Sequence, residues 1–339
     1  MNAPQSMTMR RVRRHPFSAR QPIWFGLWLF LYSAALVGAQ AGETYPGKLG
    51  IAKAKRLTAE QRAVEARFAA YLEANTEAAI ARYLEKFGNE INVDNARELS
   101  LDYAPGGIDA ADPATVAART RWGEAVHEPA SALIKEIYRR ALAQKTPPNR
   151  RRQVLFTAGG AGVGKTTSLR KIAEFSDAAQ LQVAEIIYDT TLATYGSAVG
   201  RIVQALESGR NVSIVFVYRD PIISLVNGVL PRAREMGRIV PLEVFLSTHL
   251  GAVQTIIKIA AAFKNYPAVS IVIVDNRDGI GNARIADLAF AEAMARRYTP
   301  EDLRAKLKRA LEDAYEKGKK SGAAGISEAV YREIKGNVQ

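Results

Sequence analysis

Short apolar runs alternate with longer amphipathic stretches through the second half of the chain. The apolar runs predict buried strands at 154–156, 183–188, 212–218 and 269–274. The amphipathic stretches predict helices at 168–175, 197–206, 242–263, 300–317 and 327–334. Alternation of strands and helices is typical of a parallel sheet with helices on both faces. We therefore expect a three-layer α/β fold.

The pattern ahead of these strands is mainly helical. One long helix is predicted over 58–87, beginning with the capping pair Thr58 and Gln61 and ending at Gly88. A short strand is predicted at 90–93 and a helical turn at 96–101. A second long helix is predicted over 115–142, with a kink near Pro129.

The first 41 residues have the pattern of a targeting segment. Arginines precede an apolar run at 23–39, and Ala39-Gln40-Ala41 has the form of a cleavage signal. A cleaved signal peptide, an uncleaved membrane anchor, a buried helix and a misplaced start all fit this pattern. The two membrane interpretations place the body of the protein outside the cytoplasm and limit any membrane contact to residues 23–39.

Composition narrows the choice of chemistry. The chain has no cysteine and three histidines, which excludes disulfides and thiolate metal sites. Its net charge is +13, of which the five arginines of residues 1–41 contribute five, leaving 13 − 5 = +8. That remainder suits phosphate-bearing ligands, nucleic acid or an ordinary solvated surface.

A phosphate-binding motif follows the first predicted strand. The segment has the spacing G-x-x-x-x-G-K-[ST]. Its nucleotide-binding residues are Gly159, Gly160, Ala161, Gly162, Val163, Gly164, Lys165, Thr166 and Thr167. Lys165 is expected to contact the β- and γ-phosphates of ATP, and the Thr166 hydroxyl to bind Mg²⁺. This motif predicts a P-loop NTPase or kinase fold, and a plain glycine-rich turn is the alternative.

Four segments between 153 and 280 resemble the zeta-toxin family of P-loop kinases. They are YDTTL at 188–192, VFVYRDP at 215–221, RAREMGRIVP at 232–241 and DNRDG at 275–279. Two further segments of this chain, INVDNARELSLDY at 91–103 and VHEPAS at 126–131, also resemble that family. In the family these segments follow the phosphate loop, whereas here they precede it. The resemblance therefore implies a permuted order, although Ser100-Leu101 stands where the family tends to have proline.

The resemblance also implies roles for individual residues. Asp94 would accept the proton of the attacking hydroxyl, and Asp189 would contact substrate and order Mg²⁺ through water. Arg97 and Arg232 would contact substrate, and Arg234 and Arg238 would be catalytic lid arginines. A helix cap is the alternative role for each aspartate, and a solvated surface residue is the alternative for the arginines. His127 and His249 are expected to be packed helix residues rather than catalysts.

This resemblance implies a kinase that uses ATP and Mg²⁺ and transfers the γ-phosphate to a hydroxyl of a small molecule. A nucleotide sugar is the acceptor that the family leads us to expect. An antitoxin or immunity protein is the implied partner. The alternatives are a polynucleotide or nucleoside kinase, motivated by Arg150–Arg152, and a non-catalytic nucleotide-gated module. Nucleic acid is not expected, because no aromatic-plus-basic platform is present. ATP dependence predicts action in a cytoplasm, in conflict with the targeting segment.

The predicted organisation follows from these assignments. It comprises a signal peptide or membrane anchor at 1–41, a linker and N-terminal helix at 42–90, a substrate-side segment at 91–152, a P-loop kinase core at 153–290 and C-terminal helices at 291–339.

Overall fold

The computed structural model describes residues 43–172, 183–279, 281–321 and 325–336. The predicted targeting segment, including residues 23–39, lies outside the described residues. All described residues belong to one compact unit, Gly42–Gln339.

The core of this unit is a six-stranded sheet. The sheet is mostly parallel, as the sequence predicts. The strand order is β1-β3-β2-β4-β5-β6, and β6 alone pairs antiparallel. The strands are β1 (Glu90–Ile91), β2 (Arg151–Ala158), β3 (Ala184–Asp189), β4 (Asn211–Tyr218), β5 (Val269–Asp275) and β6 (Arg284–Ala286). Because β1 to β5 run in the same direction, their carboxyl ends meet at one edge, where ligands of such sheets bind.

Helices surround this sheet and account for most of the remaining chain. They are α1 (Ala59–Ala74), α2 (Thr76–Phe87), α3 (Val93–Arg97), α4 (Pro113–Trp122), α5 (His127–Ala143), α6 (Lys165–Ile172), α7 (Tyr195–Glu207), α8 (Pro221–Ser224), α9 (Leu230–Met236), α10 (Leu242–Ala262), α11 (Leu288–Ala295), α12 (Pro300–Ser321) and α13 (Glu328–Lys335). A π-helical segment, Leu225–Val229, joins α8 to α9. Such segments occur often at functional sites.

Hydrophobic clusters of the described residues pack the layers against one another. One lies against the sheet and includes Leu155, Val215 and Val274. Another joins the π-helical segment, α9 and α10 to the C-terminal helices, with Phe245 and Leu307 fully buried. The C-terminal helices therefore support the region that follows β4.

Both long helices predicted in the first half are in fact helix pairs. The first is interrupted at Asn75, which leaves helical geometry (φ −126°, ψ 33°), although the capping box of Thr58 and Gln61 forms as predicted. The second is interrupted at 123–126. Pro129 then lies in the first turn of α5, where it needs no intrahelical donor; within one continuous helix its ring would clash with the preceding turn.

Among the residues that the structure describes, α10 is the one helix long and apolar enough to cross a membrane by composition. Its buried polar side chains favour a role inside the protein. His249 contacts a carbonyl of the phosphate loop, and the Thr255 hydroxyl donates to the Ala193 carbonyl at 3.2 Å.

Candidate active site

The phosphate loop leaves the carboxyl end of β2, near the middle of the sheet, and leads into α6. Gly162 has a φ of 75°, and a Cβ atom there would lie 2.5 Å from the Ser224 carbonyl oxygen. Only glycine therefore fits this turn without strain. The amino end of α6 begins at Lys165, so its free backbone N–H groups face the loop, as anion binding requires.

Lys165 folds back over the loop. Its Nζ atom donates to the Gly159 carbonyl at 3.3 Å and lies 3.5 Å from Oδ1 of Asp189. The Thr166 side chain lies at the cleft and is exposed. A lysine and a hydroxyl in these positions suit triphosphate and Mg²⁺ binding, respectively.

Asp189 ends β3 beside the loop and is held from two sides. The Thr157 hydroxyl donates to Oδ1 at 2.6 Å, and the Asn92 amide donates to Oδ2 at 2.9 Å. The alternative role as a helix cap is wrong, because the next helix begins only at Tyr195. Each oxygen accepts one of these hydrogen bonds and keeps a second lone pair, so Asp189 can contact a metal through water.

Among the described residues, no cluster of three or more His, Asp and Glu side chains could hold a metal ion. The available groups therefore fit the P-loop type of Mg²⁺ site, in which the metal is held by the nucleotide phosphates and one hydroxyl. Thr166 is the hydroxyl that fits this role.

Asp94 enters the cleft from α3, directly after β1. Asn92, not Asp94, caps this helix by accepting from the Asp94 backbone N–H at 2.8 Å. The predicted alternative for Asp94 is therefore wrong, and its carboxylate remains available, with 49% of the side chain exposed. Desolvation in the cleft opposes ionisation, but the nearby cations, chiefly Arg97 and Arg238 with Lys165 contributing, lower the pKa of Asp94 below its usual value.

Arg97 joins Asp94 to His127. One guanidinium nitrogen lies 3.2 Å from Oδ1 of Asp94, and another donates to Nδ1 of His127 at 2.6 Å. The Arg97 side chain is only 15% exposed, so it is not the solvated surface residue of the alternative interpretation. Desolvation in the cleft and the Arg97 charge lower the pKa of His127 to about 4, although its side chain remains accessible to solvent. His127 is therefore neutral at pH 7 and accepts through Nδ1.

The predicted lid arginines separate into two groups. Arg232 and Arg238 line the cleft with Asp94 and Lys165, whereas Arg234 lines a different groove and pairs with Glu235. Arg234 and Arg238 do not share a helix face. The helix α9 ends at Met236, and Gly237 takes a left-handed conformation (φ 68°) that turns the chain before Arg238.

A buried ion pair supports Arg238. Glu98 is fully buried, accepts from Arg119 at 2.6 Å and lies 3.4 Å from a guanidinium nitrogen of Arg238. Arg119 is itself 1% exposed. This pair was not predicted from the sequence, because charged residues in a helical stretch usually lie on a solvated face.

Two further residues pack against the phosphate loop. Nε2 of His249 donates to the Ala161 carbonyl at 2.9 Å, and burial lowers the pKa of this histidine to about 4. Asn276 is buried and donates to the Val163 carbonyl at 2.7 Å. His249 is thus a packed residue, as its sequence position suggests, and it supports the loop directly.

These groups surround a single cleft of about 830 Å³. Most predicted site residues line it, namely Asp94, Arg97, Gly160, Ala161, Gly162, Val163, Gly164, Lys165, Thr166, Asp189, Arg232 and Arg238. Gly159 and Thr167 flank the lining residues of the loop, and Arg234 lies elsewhere. The lining also includes Lys55, Arg56 and Arg201, which no motif marks in the sequence. In the sequence, only their positive charge could have indicated a role in binding.

Part of the chain matches the model of a known protein family. Residues 176–284 match the family model described as Zeta toxin. No curated protein matches the chain. One similar solved structure is a native AvrRxo1-ORF1:-ORF2 complex, 14% identical, covering 60% of this chain and 90% of that chain with a TM-score of 0.36. Another is AvrRxo1-ORF1:AvrRxo1-ORF2 with sulphate ions, 13% identical, with the same coverage and a TM-score of 0.33.

The matched region begins after the phosphate loop and ends within β6. It contains Asp189, Arg232, Arg238 and the DNRDG segment, which are among the residues on which the resemblance was based. The match supports a toxin-type kinase in general terms. Residues 176–284 are therefore similar to the Zeta toxin family, and the resemblance predicted from the sequence is confirmed.

Proposed function

We propose that this protein is an ATP- and Mg²⁺-dependent kinase of zeta-toxin type that transfers the γ-phosphoryl group to a hydroxyl of a small molecule. The observation that carries the proposal is that Asp94 and Lys165 line the same cleft. Phosphoryl transfer needs an oriented acceptor hydroxyl next to a bound triphosphate, and this pair provides both requirements.

The order of events follows from the residues. The loop N–H groups and Lys165 bind the triphosphate, and Thr166 provides the hydroxyl for the metal. When bound, Mg²⁺ supplies positive charge that offsets the charge of the β- and γ-phosphates. Asp94 accepts a hydrogen bond from the acceptor hydroxyl and takes its proton as the new P–O bond forms. The leaving group is ADP.

The low pKa of Asp94 suits this role. A carboxylate that stays ionised at neutral pH can orient the hydroxyl before transfer, and it takes the proton late, when the oxygen has become acidic. Arg97 holds this carboxylate from one side and is itself fixed by His127. Arg232 and Arg238 offer guanidinium groups for the charge that spreads over the transferred phosphoryl oxygens.

The polynucleotide kinase alternative rests on the net charge of +8 that remains beyond residue 41 and on the Arg150–Arg152 cluster, and the second of these observations does not concern the cleft. The Arg150–Arg152 cluster lies at the amino end of β2, whereas the phosphate loop leaves its carboxyl end. A strand of this length separates the two by roughly 20 Å. These arginines therefore do not line the cleft. Competition of ATP turnover by oligonucleotides is the direct test.

The acceptor class and the partner are parts of the same proposal. A nucleotide sugar is the expected acceptor, and an antitoxin or immunity protein is the expected partner, both by resemblance to zeta-type toxins. A protein that depends on ATP and carries an export signal would act inside another cell. Recovery of intact, uncleaved protein from the cytoplasmic fraction of its host would contradict that last point.

The kinase proposal is tested with the full-length chain, γ-labelled ATP, Mg²⁺ and a panel of nucleotide sugars. Label should move to an acceptor in the wild type and fail to move in Asp94→Asn. Asp109→Asn is the matched control, because Asp109 is an exposed aspartate paired with Lys86 and asparagine tolerates its left-handed conformation. Release of label only as free phosphate, at equal rates in all three proteins, would contradict the proposal.

A further inference from the structure

Residues 43–57, here called the N-terminal segment, form part of the wall of the cleft. The segment is not a loose linker. An antiparallel bridge joins Thr44 to Ala52, with the Tyr45 N–H donating to the Ile51 carbonyl at 2.8 Å. Ile51 is fully buried. The segment is therefore folded onto the rest of the unit.

Two glutamates of α1 hold this segment in place. The fully buried carboxylate of Glu65 accepts from the Ala54 N–H and the Tyr45 hydroxyl, each at 2.8 Å. Glu73 accepts from the backbone N–H groups of Lys48 and Leu49 at 2.8 and 2.9 Å. Backbone bonds to ionised carboxylates are among the stronger hydrogen bonds. They fix the position of the residues that follow.

Those following residues, Lys55 and Arg56, line the cleft. Helix α1, whose Glu65 holds Ala54, and α3, which carries Asp94, both pack against α5. Lys55 and Arg56 therefore lie on that side of the cleft. Both cations are exposed, and within the described parts of the chain neither forms an ion pair. Lys53, two residues earlier, is instead paired with Glu43 at 3.0 Å and lies over the Tyr45 ring.

Three of the cations that line the cleft already have acidic partners. Lys165 pairs with Asp189, Arg97 with Asp94, and Arg238 with Glu98. Lys55 and Arg56 therefore add positive charge that no carboxylate within ion-pair distance balances. A folded segment that presents two adjacent unpaired cations to a ligand cleft is suited to a phosphate-type anion.

We propose that Lys55 and Arg56 bind a phosphate-type group that belongs to the acceptor, so that the N-terminal segment forms the outer wall of the acceptor site. This inference rests on the proposed kinase function and assigns the anionic part of its acceptor to two residues that no motif marks. The acceptor hydroxyl lies at Asp94, and the anionic part of the same molecule extends to Lys55 and Arg56.

The test uses the full-length chain with its phosphate loop saturated by Mg²⁺ and a non-hydrolysable ATP analogue. Inorganic pyrophosphate is then titrated by calorimetry. The Lys55→Ala/Arg56→Ala double variant should bind pyrophosphate at least about tenfold more weakly than the wild type, because two charge-assisted contacts are lost. Its affinity for the ATP analogue should change by less than about twofold. Lys53→Ala, the matched control, should bind pyrophosphate like the wild type.

Several results would overturn the inference. One is that the double variant and the wild type bind pyrophosphate with equal affinity. Another is that the wild type, with its phosphate loop saturated, binds no pyrophosphate. A third is that the wild type binds malonate as tightly as pyrophosphate, which would indicate general charge attraction. The label-transfer assay separates this inference from the kinase proposal. Transfer with an unchanged acceptor KM in the double variant defeats the inference alone. If pyrophosphate binding depends on both cations but the protein transfers no label, the kinase proposal is contradicted and the anion-binding site is still supported.

Discussion

The side-chain amide of Asn92 donates a 2.9 Å hydrogen bond to Oδ2 of Asp189, a residue 97 positions later in the chain. The same side chain accepts from the Asp94 N–H and so caps α3. One residue thus links the aspartate that we assign as the base to the strand beside the phosphate loop. This link joins the two halves whose order the sequence suggested to be permuted.

Replacement of Asn92 tests this link. Asn92→Ala removes the cap and the bond to a carboxylate, and it should destabilise the protein by about 2 kcal/mol. Asn92→Ser keeps a capping oxygen but is too short to reach Asp189, so it should recover about half of that loss. Urea denaturation measures both values. Equal stability of Asn92→Ala and the wild type would show that the link contributes nothing.

Arg238 and Arg234 should differ sharply in their effect on catalysis. Arg238→Ala should lower kcat by about 10²–10³, because a charge that neutralises the transferred phosphoryl group is lost. Arg234→Ala should leave kcat within about twofold, because Arg234 lies in another groove. Steady-state kinetics of the two variants, side by side, measure the difference. The reverse order of effects would mean that the lid is assigned incorrectly.

The π-helical segment Leu225–Val229, which leads into the predicted lid at 232–241, contacts the phosphate loop through two glycines. A Cβ atom on Gly228, in the π-helical segment, would lie 2.6 Å from the Gly162 carbonyl oxygen. Gly228→Ala should therefore push the loop and the lid apart, costing about 1–3 kcal/mol of stability and weakening binding of an ATP analogue.

Gly200→Ala is the control for this variant. Gly200 lies inside α7 with open space around the position of a Cβ atom. Alanine there should stabilise the protein by about 0.5–1 kcal/mol, because helical glycine carries an entropic cost. Thermal unfolding of both variants distinguishes a specific contact from a general effect of alanine. Tight analogue binding by Gly228→Ala would argue against coupling between loop and lid.

Buried His249 should make stability depend on pH. Its pKa is about 4 in the folded protein, against an ordinary value of 6.5. Between these values the unfolded chain binds the extra proton, so the stabilising contribution is complete above about pH 6.5 and is lost as pH falls toward 4. The loss from this residue is about 3 kcal/mol at most. His249→Gln, which keeps a donor, should flatten the dependence of unfolding free energy on pH in that window.

Much of the sheet could be predicted from the sequence, because its strands are buried on both faces and appear as continuous apolar runs. The run at 212–218 is one example, and β4 covers it with one residue more. The antiparallel strand β6 was missed, since Arg284–Ala286 is three residues long and mostly exposed. The breaks at Asn75 and at 123–126 were missed because the apolar pattern continues across both.

Some residues of the candidate site could be predicted from the sequence, and others could not. The phosphate loop was predictable because its function needs glycines, a lysine and a hydroxyl at fixed spacing. Glu98, Lys55 and Arg56 were not, because their roles depend on which distant residues the fold brings to them. Arg234 was placed incorrectly because the left-handed turn at Gly237, which separates it from Arg238, was not foreseen.

The central claim is that Asp94, from the predicted substrate-side segment at 91–152, and Lys165, from the phosphate loop, act on the same transfer. The most direct test is single-turnover transfer of label from γ-labelled ATP, measured alongside the affinity for an ATP analogue, in Asp94→Asn and Lys165→Ala. We expect Asp94→Asn to bind the analogue like the wild type and to transfer label at least about a hundredfold more slowly. Lys165→Ala should lose both activities. Transfer at the wild-type rate by Asp94→Asn would contradict the account.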